Sequence, residues 1–270
     1  MGRKAIGVFD SGVGGLTVLK AIHARLPHER TAYLGDTARV PYGSRSPEVV
    51  IRYCIDNARF LLRQDLKLLV VACNTASAVA LGVLRKMLDI PVLGVIEPGA
   101  RAAIAATKNG RVGIIGTHGT VKSGAYQSAL RRRRGNIELR AMPCPLLVPL
   151  AEEGWIDGDI ARLIAARYLA NFDGFDMDTL VLGCTHYPLL REAIRGVLGE
   201  GVTLIDSAEV MAEEVEELLT HRGWRAPVLD PPPHHHYFVT DRPELFAEVG
   251  ARFLGKPLPD VERICFPEAT

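Results

Sequence analysis

The sequence predicts an α/β protein of two pseudosymmetric, doubly wound domains with mainly parallel sheets and an active site in the cleft between them. Short apolar runs alternate with amphipathic segments of helical length, a pattern typical of parallel sheets with crossover helices. The two halves repeat one order of elements, and Asp10 lies about as far before Cys73 as Gly116 lies before Cys184. Both cysteines follow an apolar run, so we expect both thiols at carboxyl ends of strands, where open α/β sheets bind ligands.

The first half begins with a strand, a glycine-rich turn and a helix. The strand covers 5–9, the turn 10–15 and the helix 16–25, where apolar residues recur at helical spacing. Proline is favoured in the first turn of a helix, so Ser46 and Pro47 predict a helix start. The other expected elements are a strand over 31–34, the continuation of that helix to 63, the strand before Cys73, a helix over 76–88 and a strand over 92–95.

The second half repeats this plan and is followed by a tail. Its expected elements are a strand over 111–115, a helix over 123–134, a strand near 137–141, a loop that contains Glu152, a helix over 159–171 and the strand before Cys184. The tail predicts an acidic amphipathic helix over 209–219, a strand over 237–240 and a helix to 254, for which Asp241 and Glu244 have capping-box spacing. We expect the tail to pack on the first half, which gives a discontinuous first domain, 1–97 plus 208–270, and a second domain, 98–207.

The composition is that of an ordinary globular enzyme and excludes several other classes of protein. Hydrophobic residues make up 48% and charged residues 23% of the 270 residues. A formal net charge of +1 gives no field that favours nucleic acid or an anionic membrane, so neither is expected as a partner. No apolar stretch is long enough to span a bilayer, and the first residues lack the apolar region of a signal peptide. We therefore expect a cytoplasmic protein.

The five cysteines are expected to be reduced. They are widely spaced and never form a Cys-x-x-Cys pattern, which disfavours both a disulfide framework and a zinc site, so we expect no metal. The apolar surroundings of Cys54 and Cys265, and the prolines on either side of Cys144, indicate inert thiols.

Cys73 and Cys184 are either small buried hydrophobes, as most free cysteines are, or a functional pair. The polar residues that follow them are Asn74, Thr75, Thr185 and His186. Such groups donate hydrogen bonds to a carboxylate, and the positive end of a helix after each turn would favour the thiolate. Two equivalent thiols, one from each half, could act as base and acid on opposite faces of one carbon atom.

The turn from Asp10 to Gly15 follows a strand and opens a helix, so a dinucleotide site is an alternative. Its glycines have Gly-x-Gly-Gly spacing, and Thr17 occupies the place of the last glycine in a dinucleotide fingerprint. Asp10 would repel a pyrophosphate, although Asp36 imitates a ribose-binding acid. We expect Asp10 to be the proton-handling partner of Cys73 and the next residue, Ser11, to bind substrate. An NAD-dependent oxidoreductase stays open until a nicotinamide titration tests it.

Two further segments have unusual composition. Residues 231–236 predict a flexible, proline-flanked surface loop, whose three histidines could bind a metal adventitiously. The arginines at 131–134 indicate a solvated helix end. Too few other basic residues are near them in sequence to indicate a nucleic-acid surface.

Five motifs resemble those of one enzyme family. They are Phe9–Leu16, Gly35–Thr37, Pro41–Gly43, Ala72–Ala76 and Gly183–Pro188. Together they are similar to the cofactor-independent aspartate/glutamate racemase family, and to its bacterial glutamate branch more than to the aspartate or hydantoin racemases. The resemblance extends from about residue 5 to about residue 220. It implies cofactor-free racemisation of L-glutamate to D-glutamate by two-cysteine, two-base proton transfer, which supplies D-glutamate for peptidoglycan in the cytoplasm.

The resemblance also implies roles for individual residues. Cys73 and Cys184 would alternate as proton acceptor and donor, with Asp10 and His186 as their respective partners. The implied glutamate-binding residues are Asp10, Ser11, Pro41, Tyr42, Gly43, Asn74, Thr75, Thr117, Glu152, Thr185 and His186. The resemblance implies that the protein needs no cofactor and that it forms a homodimer. Two other functions stay open: a racemase or decarboxylase for a related carboxylic acid, and a regulatory protein that binds DNA gyrase.

Overall fold

Two parallel sheets with helices on their faces form the protein, and the computed structural model describes residues 1–228, 231 and 233–266. Its strands are β1 (Ala5–Asp10), β2 (Thr31–Gly35), β3 (Leu66–Val71), β4 (Val92–Gly94), β5 (Arg111–Gly116), β6 (Glu138–Pro143), β7 (Thr179–Gly183), β8 (Thr203–Asp206), β9 (His236–Val239) and β10 (Val261–Arg263). Its helices are α1 (Leu16–Arg25), α2 (Pro47–Leu62), α3 (Asn74–Met87), α4 (Ile96–Ala106), α5 (His118–Ser123), α6 (Ala125–Arg133), α7 (Leu147–Glu152), α8 (Gly158–Leu169), α9 (Arg191–Leu198), α10 (Ser207–His221) and α11 (Pro243–Leu254). One proline of the predicted loop 231–236 and the last four residues of the predicted first domain lie outside the described residues.

The two sheets share one strand order. The first runs β10-β9-β2-β1-β3-β4 and the second runs β6-β5-β7-β8, and every pair of neighbouring strands is parallel. The order β2-β1-β3-β4 therefore corresponds to β6-β5-β7-β8, so β3 before Cys73 is the equivalent of β7 before Cys184. This arrangement confirms the predicted fold class.

Residues 68–71 of strand β3 show why these runs are continuously apolar. They are buried and alternate between two cores: Leu68 and Val70 pack in one hydrophobic cluster, Leu69 and Val71 in the other. Successive side chains of a strand point to opposite faces of the sheet, so the part of a strand that is covered on both faces carries apolar residues at each position. Lys67, near the start of β3, is also buried, but it forms an ion pair with Glu29.

The C-terminal segment extends the first sheet. Strand β9 pairs with β2, where Tyr237 lies beside Tyr33, and β10 pairs with β9. Helices α10 and α11 both pack on α1. These contacts support the expected bounds of the discontinuous first domain, which stay a prediction.

Several predicted elements were wrong in detail. The helix expected over 123–134 corresponds to α6, which begins at Ala125 because Gly124 adopts a left-handed conformation (φ 66°), and a separate short helix, α5, precedes it. Glu152, expected in a loop, is the last residue of α7. The expected capping box at Asp241 does not form: Arg242, at φ 48°, is the N-cap of α11, and no side chain caps that helix. Helices α4, α5 and α9 and strands β8 and β10 were not predicted from the sequence.

The histidine-rich segment is also more ordered than expected. His235 is half-buried, stacks on His23 with ring centroids 3.9 Å apart, and lies 3.0 Å through Nδ1 from the Thr31 hydroxyl. His236 begins β9. A surface loop was therefore the wrong prediction for these two residues. Among the described residues, no three His, Cys, Asp or Glu side chains are grouped as a metal site requires.

Among the helices in the described part of the chain, none combines the length and the apolar character that a crossing of the bilayer needs.

Candidate active site

One small cavity lies where the carboxyl ends of strands from both sheets meet. Its volume is about 50 Å³, far below the roughly 300 Å³ at which ordinary ligand pockets begin, so the walls are nearly closed. The predicted site residues in its wall are Ser11, Pro41, Tyr42, Gly43, Cys73, Asn74, Thr75, Thr117, Glu152, Cys184, Thr185 and His186. Gly12, Val40 and Val148 complete the wall. Of the predicted site residues, Asp10 alone is absent from it.

The strand order explains why these residues meet. In each sheet the order reverses beside its first strand, between β1 and β3 and between β5 and β7, and ligands bind outside the strand ends at such points. Cys73 follows β3 directly after Ala72, and Cys184 follows β7 directly. Both sulfur atoms consequently lie in the wall of the same cavity.

Cys73 caps helix α3. Its sulfur accepts a hydrogen bond from the backbone N–H of Ala76 at 3.5 Å, and its thiol donates to the hydroxyl of Ser11 at 3.8 Å. Burial raises the pKa of the Cys73 thiol to about 12, and the negative charge of Asp10 adds to that rise. The expected thiolate is therefore wrong for Cys73 in this closed state, because burial outweighs the helix N-terminus.

Asp10 lies behind the cavity wall and is fully buried. Its carboxylate accepts hydrogen bonds from the backbone N–H of Gly12 at 3.0 Å and from the hydroxyl of Thr185 at 3.4 Å. Burial raises its pKa, against the opposing charge of His186. Asp10 is thus placed to act on Cys73 through charge, whereas Ser11 is the residue that Cys73 contacts by a hydrogen bond.

Cys184 has a different partner. Its sulfur lies 3.8 Å from Nδ1 of His186, and Nε2 of that imidazole lies 2.9 Å from a carboxylate oxygen of Glu152. Burial by itself would lower the pKa of His186, but the hydrogen bonds to Cys184 and Glu152 raise it to about 10. The imidazole is therefore a cation at neutral pH. A helix was expected after each turn. The turn after Cys184 leads into a short 3₁₀ helix and then α9, so an α-helix begins directly at the thiol only at Cys73.

The glycine-rich turn joins the two halves of the site. A Cβ atom added at Gly14 would lie 2.3 Å from the hydroxyl of Thr185 and 2.5 Å from the ring of His186. The hydroxyl of Thr17 donates to the carbonyls of both Gly14 and Thr185. The space that a pyrophosphate needs above such a turn is therefore filled by protein, which disfavours the dinucleotide alternative.

Tyr42 reaches the cavity, but its hydroxyl is committed elsewhere. The hydroxyl donates to the carboxylate of Asp36 and accepts a hydrogen bond from the amide of Asn57 at 3.0 Å. Asp36 also accepts from the guanidinium of Arg39 and the hydroxyl of Thr240. The residue that imitates a ribose-binding acid in the sequence therefore anchors the loop of Tyr42 and Gly43.

The second half of the chain orients Asn74. The hydroxyl of Tyr126, on α6, donates to Oδ1 of Asn74 at 2.8 Å. Nδ2 of Asn74 is buried and has no hydrogen-bond partner among the described residues. Leaving a buried donor unpaired costs about 1–3 kcal/mol, so this amide fits a ligand that brings an acceptor such as a carboxylate.

Three threonine hydroxyls meet across the cleft. Thr75 lies 2.9 Å from Thr117 and 3.2 Å from Thr120, and the latter two lie 3.1 Å apart. Sequence reasoning missed Thr120 and Tyr126. Both lie in segments without a local signal, and only the approach of the second sheet to α3 gives them a role.

The arrangement is suited to moving a proton at a carbon atom. Two thiols face one cavity, and each has a different polar partner. The amide of Asn74 and the threonine hydroxyls provide donors for carboxylates. Donors fixed in a site without bulk water stabilise the negative charge that develops when a carbon acid loses its proton.

Comparison with known proteins defines the class of enzyme. Residues 6–215 match the model of the Asp/Glu/hydantoin racemase family. This chain belongs to that family, and it is an isomerase, as the sequence motifs predict.

Individual relatives within the family narrow the comparison. A glutamate racemase from Geobacter metallireducens is 56% identical over 261 residues, which cover 97% of this chain and 96% of the relative. The crystal structure of a glutamate racemase isoform from Bacillus anthracis is similar with a TM-score of 0.93 at 42% identity, over 99% of both chains. A glutamate racemase from Francisella tularensis, solved in complex with D-glutamate, gives a TM-score of 0.91 at 36% identity over 98% of both chains. The predicted resemblance is therefore confirmed.

Proposed function

We propose that this protein interconverts L- and D-glutamate without a cofactor, with Cys73 and Cys184 as the two acid–base groups. One observation carries the proposal: the equivalent strands of two pseudosymmetric sheets each deliver a thiol to the wall of the same cavity. A substrate carbon between them would have one sulfur on each face. Removal of a proton on one face and delivery on the other inverts the configuration.

The two thiols begin the reaction in different electrostatic surroundings. The raised pKa of Cys73 favours its neutral thiol, which is a proton donor. The His186 cation lies beside Cys184, and a neighbouring cation stabilises negative charge on sulfur. One enantiomer would lose its proton to Cys184 and gain another from Cys73, and the other enantiomer would react in the reverse sense.

Glutamate is supported as the substrate by the donors and by the relatives. Asn74 offers an unpaired buried amide, and the hydroxyls of Thr75 and Thr117 lie near it across the cleft. These groups suit a substrate with carboxylates, and the relatives above are named for glutamate. We extend the proposal to D-glutamate supply for peptidoglycan in the cytoplasm, and to a homodimer, which sedimentation tests.

The nearly closed cavity requires the two halves of the wall to separate before substrate enters. Residues that follow strands of both sheets form part of that wall, so a change in the distance between the sheets would open it. Closure around glutamate would then exclude water and hold the Cα–H bond near the attacking sulfur.

Circular dichroism of the purified protein with L- or D-glutamate tests the proposal. We expect either enantiomer to lose its signal until the mixture is racemic, with no pyridoxal phosphate or metal added and with a chelator present. Aspartate and other related acids under the same conditions test the substrate, and the double variant C73A/C184A gives the background. An unchanged signal from both glutamate enantiomers would refute the proposed function.

A further inference from the structure

Helix α11 approaches the Cys184 half of the site from the C-terminal segment. The Phe253 ring lies against the imidazole of His186, with centroids 5.2 Å apart and ring planes at 78°. Phe253 is only 1% exposed. Edge-to-face packing of this kind restricts ring rotation and adds about 0.5–1.5 kcal/mol beyond the area buried.

Arg252, the preceding residue of α11, contacts Glu152, which forms a hydrogen-bonded pair with His186. The guanidinium of Arg252 donates a hydrogen bond to the backbone carbonyl of Glu152, the last residue of α7. Glu152 holds Nε2 of His186. Of these two consecutive residues of α11, Phe253 therefore contacts the imidazole directly, and Arg252 contacts the residue that binds the imidazole.

In the described part of the chain, residues 252 and 253 make no hydrogen bond or ring contact with the Cys73 half. The partners of Cys73, Asp10 and Ser11, belong to the end of β1 and the turn that follows, and the charge of His186 acts on Asp10 without direct contact. The other buried phenylalanine of α11, Phe246, packs against Tyr33 instead of His186. Phe246 is thus a second buried phenylalanine on the same helix, and its ring packs away from the imidazole of His186.

We propose that Phe253 and Arg252 are positioning residues for the half-reaction of Cys184: they hold His186 and Glu152 where the imidazole supports that sulfur. This inference rests on the proposed function and adds to it a dependence of one thiol, and not the other, on the C-terminal helix. Neither residue lines the cavity with the thiols, so neither is a catalytic residue.

A reaction that needs one proton abstraction isolates each thiol. Racemisation itself cannot, because the two enantiomers have equal free energy and kcat/KM is therefore equal in both directions. The probe is the mirror-image pair of one 3-chloroglutamate diastereomer. A sulfur base takes the Cα proton, the C–H electron pair forms the Cα=Cβ bond, and chloride leaves Cβ. The resulting enamine hydrolyses to 2-oxoglutarate and ammonium, which coupled assays measure.

The Cys184→Ser variant first identifies the enantiomer of 3-chloroglutamate that depends on Cys184, because elimination from that enantiomer stops. Elimination rates of the other variants are then compared for this enantiomer and its mirror image. We expect Phe253→Leu to slow that elimination about tenfold and Arg252→Gln about threefold, because a misplaced acid–base partner loses part of the roughly 100-fold or larger gain that such groups give. Elimination from the other enantiomer should change by less than about twofold. Arg252→Lys, which keeps a donor, should restore most of the loss.

Phe246→Leu is the matched control for loosening of α11, and it should not lower the Cys184 elimination relative to the Cys73 elimination. Arg252 is exposed, so its variants test the inference even if Phe253→Leu fails to fold. Equal effects of Arg252→Gln on both enantiomers, or none on either, would overturn the inference. A wild-type protein that racemises neither glutamate enantiomer would instead refute the proposed function.

Discussion

The Cys73 and Cys184 regions occupy equivalent places in two sheets of the same strand order, yet their chemical surroundings differ. Cys73 caps a 14-residue helix and has a serine hydroxyl and a buried carboxylate as neighbours. Cys184 precedes a short 3₁₀ helix and has an imidazole cation as its neighbour. A shared backbone plan therefore determines where the two thiols lie, whereas the residues after each strand determine how each thiol exchanges a proton.

This difference is compatible with a reaction between mirror images. The two enantiomers of a substrate have equal free energy, but a protein of L-residues cannot give them mirror-image surroundings. Each thiol needs only to serve as base in one direction and acid in the other. An anionic partner on one side and a cationic partner on the other can satisfy that requirement.

Replacement of either thiol should have the largest effect. Cys73→Ser and Cys184→Ser each remove one acid–base group, because a serine hydroxyl is a far weaker acid than a thiol, and we expect racemisation to fall by at least about 10³-fold. Each variant should still eliminate chloride from one enantiomer of 3-chloroglutamate, and the two variants should spare opposite enantiomers. Equal loss for both enantiomers in both variants would contradict one thiol per face.

A side chain added at either of two adjacent glycines would collide with a different one of the two regions. A Cβ atom at Gly14 would meet Thr185 and His186 at 2.3–2.5 Å, whereas one at Gly15 would lie 2.5 Å from Cβ of Asp10. We expect Gly14→Ala to lower elimination by Cys184 about 100-fold, and Gly15→Ala to lower elimination by Cys73 by a similar factor, because displaced partners no longer support the thiols.

Gly82→Ala provides the steric control for the glycine variants. Gly82 is exposed on α3 outside the cavity wall, and its added Cβ atom would meet no described atom within 4 Å. Thermal melting shows which variants are folded. A folded Gly14→Ala that lowers both eliminations equally would contradict the assignment of Gly14 to the Cys184 region.

Alkaline pH should act through the Cys184 region. Hydrogen bonds to Cys184 and Glu152 raise the pKa of His186 to about 10 in the folded protein, against an ordinary value of 6.5. We expect racemisation to fall about tenfold per pH unit above pH 10, as the imidazole loses its proton. The raised pKa of His186 also contributes to the free energy of unfolding. This contribution is complete below about pH 6.5 and is lost as the pH rises through about 10.

Urea unfolding measured at pH 7 and pH 9 tests this linkage. The wild type should lose free energy of unfolding between the two values, and His186→Gln should lose less. Equal losses of unfolding free energy between pH 7 and pH 9 in both proteins would show that the pKa of His186 is not raised.

Tyr126→Phe should have the smallest effect. The variant removes the hydroxyl that orients Asn74 but keeps the ring, so the unpaired amide can rotate away from a bound carboxylate. We expect KM for glutamate to rise about three- to tenfold, the cost of one hydrogen bond, with less change in kcat. An unchanged KM in this variant would mean that Asn74 is held by other contacts.

Much of the fold and of the site was accessible from the sequence because the signals are local. Apolar runs such as 68–72 end at polar turns, and parallel strands bring those turns to one edge of a sheet. The family motifs supplied the residue roles, which geometry alone does not assign. Twelve of the thirteen predicted site residues line the cavity.

The features that the sequence did not reveal depend on contacts between distant segments. Tyr126 and Phe253 act on residues that are far away in the chain, and each reads locally as one more apolar position on a helix. The start of α6 at Ala125 depends on the left-handed backbone of Gly124, which composition does not determine. The burial that raises the pKa of Cys73 is a property of the assembled fold, whereas the helix N-terminus that opposes it is visible in the sequence.

The most direct test of one sulfur on each face is racemisation in D₂O, followed from each pure enantiomer at low conversion by NMR at Cα. We expect newly formed product to carry deuterium while the remaining substrate keeps protium, in both directions, because the incoming proton comes from a thiol equilibrated with solvent. Product that retains the substrate's own proton, or substrate that gains deuterium as fast as product forms, would show that a single base serves both faces.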